Sequence, residues 1–354
     1  MNRILLMFVL VTSCLMPSKA VCASTAKRPA TPPLTDAFLL PSPDEPRLAK
    51  LSLPKAAESL DRTSLAWVQK HQCAACHAGW PYLMSRAVLK DAPASPALAE
   101  ILRFFETRIA NWDTDEKIAK HAHHEIVGTS AARAIYDAQT TGKLRPITRQ
   151  ALDRMWPLQR QDGAWNWSLR NLPPFEMDDY YGAVMAAVGV GYAPENYAHG
   201  DSARAGVEKL RGFFKSTAPP SLHHKTWLLW ASVKLDGLLS AEEQLATTKE
   251  LLALQRSDGG WSMESLGRTW MGRKGEPANP DAPSDGYGTG LVVYVLRQAG
   301  VPAGNEAIQR GKTWLASNQR SSGRWFTRSL NGTKQHYISD TATAFAVLAL
   351  NGCE

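Results

Sequence analysis

Three copies of one short pattern decide the fold: LQRQDGAW at residues 158–165, LQRSDGGW at 254–261 and NQRSSGRW at 318–325. In each copy a glutamine lies six residues before the tryptophan, and a glycine lies two residues before it. Each copy follows a segment with apolar residues at helical spacing, and glycine is a common residue just after a helix ends. The pattern therefore indicates an internal repeat in which a helix runs into a glutamine–tryptophan loop.

Each loop is followed by a second kind of helical segment, rich in small residues and apolar almost all the way round. A helix that is apolar on every side is buried on every side, so the sequence predicts amphipathic outer helices alternating with buried inner helices. The segments of the inner type are residues 178–191, 285–300 and 339–352, with weaker copies at 223–237, 123–139 and 96–112. Six inner helices can close a ring, and the predicted fold of residues 55–354 is an all-α (α/α)6 toroid in one domain.

The repeat resembles the QW repeat of the squalene-hopene cyclase and protein prenyltransferase superfamily, and the resemblance covers most of the chain after its first 54 residues. In such a repeat the glutamine amide is expected to bond to exposed backbone at the helix end. The tryptophan is expected to stack over the loop and tie neighbouring helical hairpins together.

The composition agrees with a globular chain and argues against one class of partner. Hydrophobic residues make up 44% of the sequence and charged residues 21%, which are ordinary values for a folded domain. The net charge of +7 is mild and evenly spread, so it does not indicate nucleic acid binding. All 12 tryptophans lie beyond residue 60 and belong to the repeat-bearing part.

The N-terminal segment reads as a targeting signal followed by a linker. Residues 1–23 combine Arg3, a short apolar run and a small-residue cleavage site, as a secretory signal peptide does. An alternative is a lipoprotein signal at residues 11–14, which would lipidate Cys14 and tether the protein to a membrane; an uncleaved anchor is disfavoured because the run is short. Residues 24–54 are a proline-rich linker. The predicted location is the periplasm or the extracellular medium.

A second motif carries chemistry. Cys73, Cys76 and His77 form CxxCH, the attachment motif of c-type haem, in which two thioethers hold the haem and the histidine is placed to ligate its iron. Export supports this interpretation, because c-type haem is attached outside the cytoplasm. A Cys73–Cys76 disulfide and a zinc half-site remain alternatives; Cys353 is the only cysteine downstream of the motif.

The position of the CxxCH motif suggests how it joins the fold. Gln72 and Trp80 flank it with a spacing of eight, so it is predicted to occupy the first, expanded glutamine–tryptophan loop. The other axial ligand of the iron is then expected on the same rim, with His124 as the leading choice and Met84 as the alternative. Further histidines considered are His121, His123, His223, His224 and His336, and an open iron is also possible.

An acidic segment precedes one inner helix. Glu176, Asp178 and Asp179 resemble the DxDD acid motif of class II terpene cyclases, and the resemblance makes Asp178 a proton donor with Asp179 as its partner. Two features depart from that pattern: Glu176 replaces the first aspartate, and Tyr180 follows where threonine is usual. A single toroid is a further departure, since the full cyclases use two. Asp285 and Asp340 are predicted as helix caps.

The alternatives within related folds have less support. The zinc ligands of the prenyltransferases include an Asp-x-Cys pair, which the sequence lacks. The acidic rim is compatible with the paired carboxylates of a glycan-cleaving toroid, but no motif of such enzymes is present.

These observations predict an exported c-type haem protein that transfers electrons to or from a redox partner protein. A long insertion at residues 262–284 is expected to act as a lid. An apolar tunnel for an isoprenoid or other lipid-like ligand is expected, with an aromatic lining of Tyr180, Tyr181, Trp227, Trp230, Tyr287 and Tyr294. Two alternatives remain: a class II terpene cyclase or isomerase that uses the acidic segment, and a non-catalytic ligand-binding toroid. Whether the protein is an enzyme stays open.

Overall fold

The computed structural model describes residues 40–90, 95–119, 122–272, 274–332 and 335–351. Within these ranges the regular secondary structure is helical, as predicted. None of the described helices is both long enough and apolar enough to cross a bilayer. The predicted signal peptide, lipidation at Cys14 and residues 24–39 of the linker lie outside the described residues, as do His121 and Cys353.

The helices alternate in character along the chain. In chain order they are α1 (Leu53–His71), α2 (Gly79–Arg86), α3 (Pro96–Asn111), α4 (Glu116–Ala119), α5 (Ala122–Thr140), α6 (Pro146–Met155), α7 (Asp179–Tyr192), α8 (Asp201–Ser216), α9 (Leu222–Lys234), α10 (Ala241–Ala253), α11 (Met263–Leu266), α12 (Gly286–Gln298), α13 (Glu306–Asn318) and α14 (Ile338–Asn351). Helices α7, α12 and α14 are buried along nearly their whole length, whereas α8 and α13 bury one face.

One inner helix was predicted in the wrong place. Residues 96–112 were expected to be buried on all sides, but α3 buries a single stripe of four residues, among them Ile101 and Phe105. The buried position is taken by α2, all eight of whose residues are buried. Helix α2 escaped recognition because it is short and contains Pro81, Ser85 and Arg86, which obscure its apolar character.

The inner helices pack on one another in a closed succession. Helix α2 packs on α5, α5 on α7, α7 on α9, α9 on α12, α12 on α14, and α14 again on α2. Small residues permit these approaches: a Cβ atom on Gly189 would lie 2.4 Å from Ala131 Cα, and one on Gly290 would lie 2.7 Å from the Ala346 nitrogen. The small-residue composition of the inner segments therefore reflects close packing between backbones.

The three glutamine–tryptophan loops make the same set of hydrogen bonds. Each glutamine donates from Nε2 to the glycine carbonyl of its own loop and to a second carbonyl at the beginning of, or within, another outer helix. The second acceptors are Gly206, Ala307 and Ser52, at 3.0, 2.8 and 2.9 Å. The predicted backbone-bonding role of the glutamines is thus confirmed, and each one links two successive outer helices.

The third loop joins the two ends of the described chain. Gln319 both donates to the Ser52 carbonyl and accepts from the Ser52 backbone N–H at 2.7 Å. The Leu48 N–H donates to the Gln319 carbonyl at 2.8 Å. Gly323 has φ +91°, and a Cβ atom there would lie 2.1 Å from the Lys55 carbonyl oxygen, so glycine is required. We refer to these contacts between residues 48–55 and 319–323 as the clasp.

The predicted aromatic tunnel is filled by side chains. All six aromatic residues assigned to its lining are buried. The rings of Trp227, Trp230, Tyr287 and Tyr294 surround Phe345, with centroid separations of 5.6, 6.1, 5.7 and 6.3 Å. A cavity of about 10 Å³ remains beside them, about enough for one water molecule. Phe345 on α14 occupies the centre of this cluster, so the open tunnel stays a prediction without support at these residues.

The insertion at residues 262–284 is packed against the rest of the structure. Met263, Leu266 and Trp270 are buried, and Glu264 accepts a hydrogen bond from the Asn279 N–H at 2.6 Å. These contacts anchor the first part of the segment, whereas residues 274–277 and 279–281 are exposed.

Asp285 caps α12, as predicted, and also joins two other segments. Its carboxylate accepts from the N–H groups of Gly288 and Met263 at 2.9 and 2.6 Å and from Thr327 Oγ1 at 2.9 Å. Burial nevertheless raises the pKa of Asp285 to about 6. Asp340 is equally buried with a pKa raised to about 6, but it lies inside the first turn of α14 and is not its cap.

The raised pKa of Asp285 predicts a pH dependence of stability. The folded state holds this proton up to a higher pH than the unfolded state, so its contribution is present at low pH and is lost as the pH rises through about 6. A shift of about two pH units corresponds to about 3 kcal/mol. In urea unfolding at pH 4 to 7, Asp285→Asn should reduce this fall to the part that Asp340 supplies, because both carboxyls have a pKa raised to about 6. Asp201→Asn, at the exposed start of α8, should leave the fall unaltered; an undiminished fall in Asp285→Asn would contradict the assignment.

Candidate haem site

The CxxCH motif lies in the loop between outer helix α1 and inner helix α2, at the predicted place in the alternation. Gln72 and Ala75 both have φ +48°, a left-handed conformation that costs a residue with a Cβ atom about 1–2 kcal/mol. The loop then turns back on itself: a Cβ atom on Gly79 would lie 2.1 Å from the Ala74 carbonyl oxygen. The sequence thus holds the motif in a tight, strained turn.

This loop does not make the contacts of the other three. Gln72 Nε2 donates to Val68 O of its own helix at 3.0 Å, and Trp80 Nε1 donates to Thr129 Oγ1 on α5 at 3.1 Å. The longer spacing between glutamine and tryptophan therefore releases both side chains from the repeat pattern. The loop is free to present its cysteines and histidine toward a cavity.

A cavity of about 320 Å³ lies against the motif. Its walls include Cys73, Cys76 and His77 from the loop, and His124 and Glu176 from elsewhere in the chain. A second cavity of about 480 Å³ shares Cys73, His124 and Glu176 with it. These volumes fall in the range of small-molecule and cofactor sites, which is roughly 300–1,000 Å³.

His77 is held as a neutral imidazole. Its ring stacks on Tyr337 with centroids 5.4 Å apart and meets the edge of Trp67 at 4.3 Å. Burial lowers the pKa of His77 to about 4, so the ring carries no charge near neutral pH, the form that binds metal ions. The buried His77 Nδ1 and Trp67 Nε1 atoms have no hydrogen-bond partner among the described residues. Orphaned polar atoms on a cavity wall fit a site built for a polar or metal-containing group.

The two cysteine side chains are thiols of different exposure. Cys73 is exposed and Cys76 is half-buried, with its Sγ donating to Glu176 Oε1 at 3.4 Å. Burial and the neighbouring Glu176 carboxylate raise the pKa of Cys76 well above its ordinary value, and desolvation also raises the pKa of Cys73. Reactive disulfide-exchange motifs instead have a lowered cysteine pKa, so the site does not favour redox dithiol chemistry.

The zinc alternative has no support in the described parts of the chain. No cluster of three or more His, Cys, Asp or Glu side chains there is placed to hold a metal ion. Tetrahedral structural zinc requires four protein ligands.

Among the histidines considered as second axial ligand, His124 is in the wall of both cavities. His223 Nε2 is hydrogen-bonded to Tyr287 Oη at 2.7 Å, and His336 Nδ1 accepts from the Ser329 N–H at 3.0 Å. Met84 is buried and lines the small interior cavity of about 10 Å³, whose wall also includes Cys76. The placement therefore supports His124 over Met84.

The three predicted acids are held apart in separate roles. Glu176 lines the cavity beside the CxxCH motif and accepts from Ser168 Oγ at 3.1 Å. Asp178 caps α7, accepting from the Tyr181 N–H at 3.0 Å, and pairs with His224 Nε2 at 3.1 Å. Asp179 accepts from the Trp167 N–H at 2.9 Å and from Arg160.

The environment of Asp178 does not suit a cyclase acid. Burial works to raise the pKa of Asp178, but its partner His224 and the backbone N–H groups at the start of α7 outweigh burial and hold that pKa below its ordinary value. A carboxyl that protonates an alkene must be kept protonated by its surroundings. Asp178 is instead an ionised group paired with His224.

Sequence reasoning missed an ion pair in the wall. Arg108 on α3 binds Glu125 on α5 through Nη2 and Oε2 at 2.5 Å and also donates to the Gln72 carbonyl at 3.0 Å. Trp112 Nε1 donates to Glu125 Oε1 at 3.0 Å. This network anchors the start of the motif loop to two helices. Single charges on two separate helices leave no spacing signal, so the pairing could not be read from the chain.

Comparison of the chain with protein-family models and with curated proteins found no match. The functional interpretation therefore depends on the residues and geometry of the site itself.

Proposed function

We propose that this chain is an exported c-type haem protein that transfers electrons, with the haem attached through Cys73 and Cys76 and ligated by His77. One observation carries the proposal: the CxxCH loop forms part of a cavity of about 320 Å³ that also contains His124, a second imidazole suited to iron. The bound haem would supply a reversible one-electron iron couple.

The residues of the site have distinct parts in the proposal. The two thiols would hold the haem covalently, and the neutral ring of His77 would ligate its iron. The stack of His77 with Tyr337 fixes the plane of the ring. Arg108 and Arg170 line the second cavity and would complement acidic groups at the edge of the haem. His124 is the proposed second ligand.

The proposed scaffold is an (α/α)6 toroid. Its support is the closed succession of inner-helix contacts from α2 through α14 and back. The clasp adds support, because Gln319 links the last outer helix to the residue before α1. The aromatic cluster around Phe345 leaves a cavity of about 10 Å³ and gives an isoprenoid or lipid-like ligand no support there, so the proposed role is electron transfer with a redox partner protein. The cyclase alternative gains nothing from the ionised Asp178.

The test is covalent haem content. The full chain, produced in a host with c-type haem maturation machinery, should gain the mass of one haem, stain for haem after denaturing electrophoresis and show a Soret band. The double variant Cys73→Ser/Cys76→Ser should lose all three signals. The matched control, Cys353→Ser, should keep them. An exported protein without covalent haem would overturn the proposal.

A further inference from the structure

A serine, a histidine and an aspartate are connected on the rim at the start of α9. Ser221, the residue before α9, has its Oγ 2.8 Å from His224 Nδ1. His224 Nε2 lies 3.1 Å from Asp178 Oδ2. The histidine is buried, while Ser221 is partly accessible.

The charge of the carboxylate favours one tautomer of the histidine. Asp178 Oδ2 lies 3.1 Å from His224 Nε2 without the alignment of a hydrogen bond, and this nearby negative charge stabilises the ring proton on Nε2 when His224 is neutral. Nδ1 is then unprotonated and accepts the proton of the Ser221 hydroxyl. This is the order of roles in a nucleophile–base–carboxylate arrangement, with the two ring nitrogens exchanged relative to the usual orientation.

A separate cavity adjoins the serine. It measures about 370 Å³ and is lined on its apolar side by Leu222, Leu254 and Leu266, and on its polar side by Arg268 and Thr269. Its lining shares no residue with the two cavities beside the CxxCH motif. The first backbone N–H groups of α9 have no acceptor within the helix, so negative charge developing beside Ser221 lies at a favourable helix end.

We propose that Ser221 and His224 form a second, acyl-transfer site that hydrolyses small esters with apolar acyl groups, and that Asp178 positions His224. Ser221 Oγ bonds to the ester carbonyl carbon as its proton passes to His224 Nδ1. The bond from that carbon to the alcohol oxygen breaks, and His224 returns the proton to the leaving alcohol. Water then attacks the acyl-serine by the same route, releasing the carboxylic acid and restoring the Ser221 hydroxyl.

The proposal does not depend on haem, because none of its three residues lines the haem site. It also gives the Asp178 carboxylate a role that requires it to be ionised, in contrast to the cyclase prediction. The hydroxyl of Ser221 is the one group whose loss must abolish the chemistry.

The test uses the full chain and a fluorophosphonate probe, which phosphonylates activated serines, together with hydrolysis of p-nitrophenyl butyrate. Peptide mass mapping should locate one label on Ser221. Ser221→Ala should abolish labelling and lower hydrolysis at least a hundredfold. Ser240→Ala is the matched control, since Ser240 caps α10 with a capping box but has no histidine partner; it should label as the unchanged protein does.

The positioning role of Asp178 is tested by a kinetic measurement that the loss of a purely structural contact would not change. In Asp178→Asn an amide N–H facing His224 favours the tautomer with the proton on Nδ1, so kcat should fall about a hundredfold or more while KM stays similar. An unlabelled wild-type protein, a label on another serine, or labelling retained in Ser221→Ala would each overturn the proposal. Circular dichroism of Ser221→Ala and Ser240→Ala should match, which separates chemistry from folding.

Discussion

Replacing Trp325 with alanine is expected to lower the free energy of unfolding by about 3–5 kcal/mol, the range for truncating a fully buried tryptophan. The side chain is wholly inaccessible, and its Nε1 donates to the Leu315 carbonyl at 2.7 Å. Its Cβ lies against Gly286 at the start of α12. Alanine would leave a cavity among α12, α13 and the third loop and remove the partner of a carbonyl near the end of α13.

The control is a tryptophan of α13, the outer helix that precedes this loop. Trp314 is only partly buried and donates to Asp258 Oδ2 at 3.1 Å in an exposed setting. Trp314→Ala should cost about 1 kcal/mol, as loss of one hydrogen bond and some packing does. Urea unfolding followed by circular dichroism measures both. Similar losses in the two variants would contradict the assignment of the loop tryptophans as the structural centres of the repeat.

Replacing His124 with alanine is expected to change the spin state of the proposed haem protein. If two imidazoles hold the iron, the oxidised protein is low-spin, and loss of one ligand gives a high-spin absorption spectrum with a shifted Soret band. Covalent attachment should persist, because Cys73, Cys76 and His77 are untouched. The change should be visible by absorption spectroscopy of the purified, haem-loaded protein.

Two variants separate His124 from its competitors. Met84→Leu conserves volume in the core and removes the sulfur, and His336→Gln removes an imidazole that binds the Ser329 N–H. Neither should alter the spin state. A high-spin spectrum in Met84→Leu, together with an unchanged spectrum in His124→Ala, would transfer the ligand role to Met84.

The repeat was predictable because each copy contains the residues that make its own hydrogen bonds. The same glutamine, glycine and tryptophan recur at fixed spacing, and the structure gives each the same hydrogen bonds. Helix α2 was not predictable by that route. It is short, its proline and arginine interrupt the apolar pattern, and its burial comes from α5 and α14, which are distant in sequence.

The candidate site divides in the same way. Cys73, Cys76 and His77 are adjacent in the chain and form a motif, so they were identified directly. The walls of the cavity come from distant segments: Asn331 Nδ2, for example, donates to the Pro173 carbonyl across 158 residues. The aromatic cluster predicted to line a tunnel is instead packed around Phe345. The position of Phe345 follows from tertiary packing, which leaves no pattern in the sequence.

The clasp also sets an order of events during synthesis and maturation. Gln319 must find Ser52 across 267 residues, so α1 cannot be locked in place until nearly the whole chain has been made. Contacts between residues so far apart in the sequence form slowly, because a long loop must be closed first. Until then the segment bearing Cys73 and Cys76 has an unanchored helix on one side. For the proposed haem attachment, we expect the interval before closure to be the time when both thiols are most accessible to an attaching enzyme.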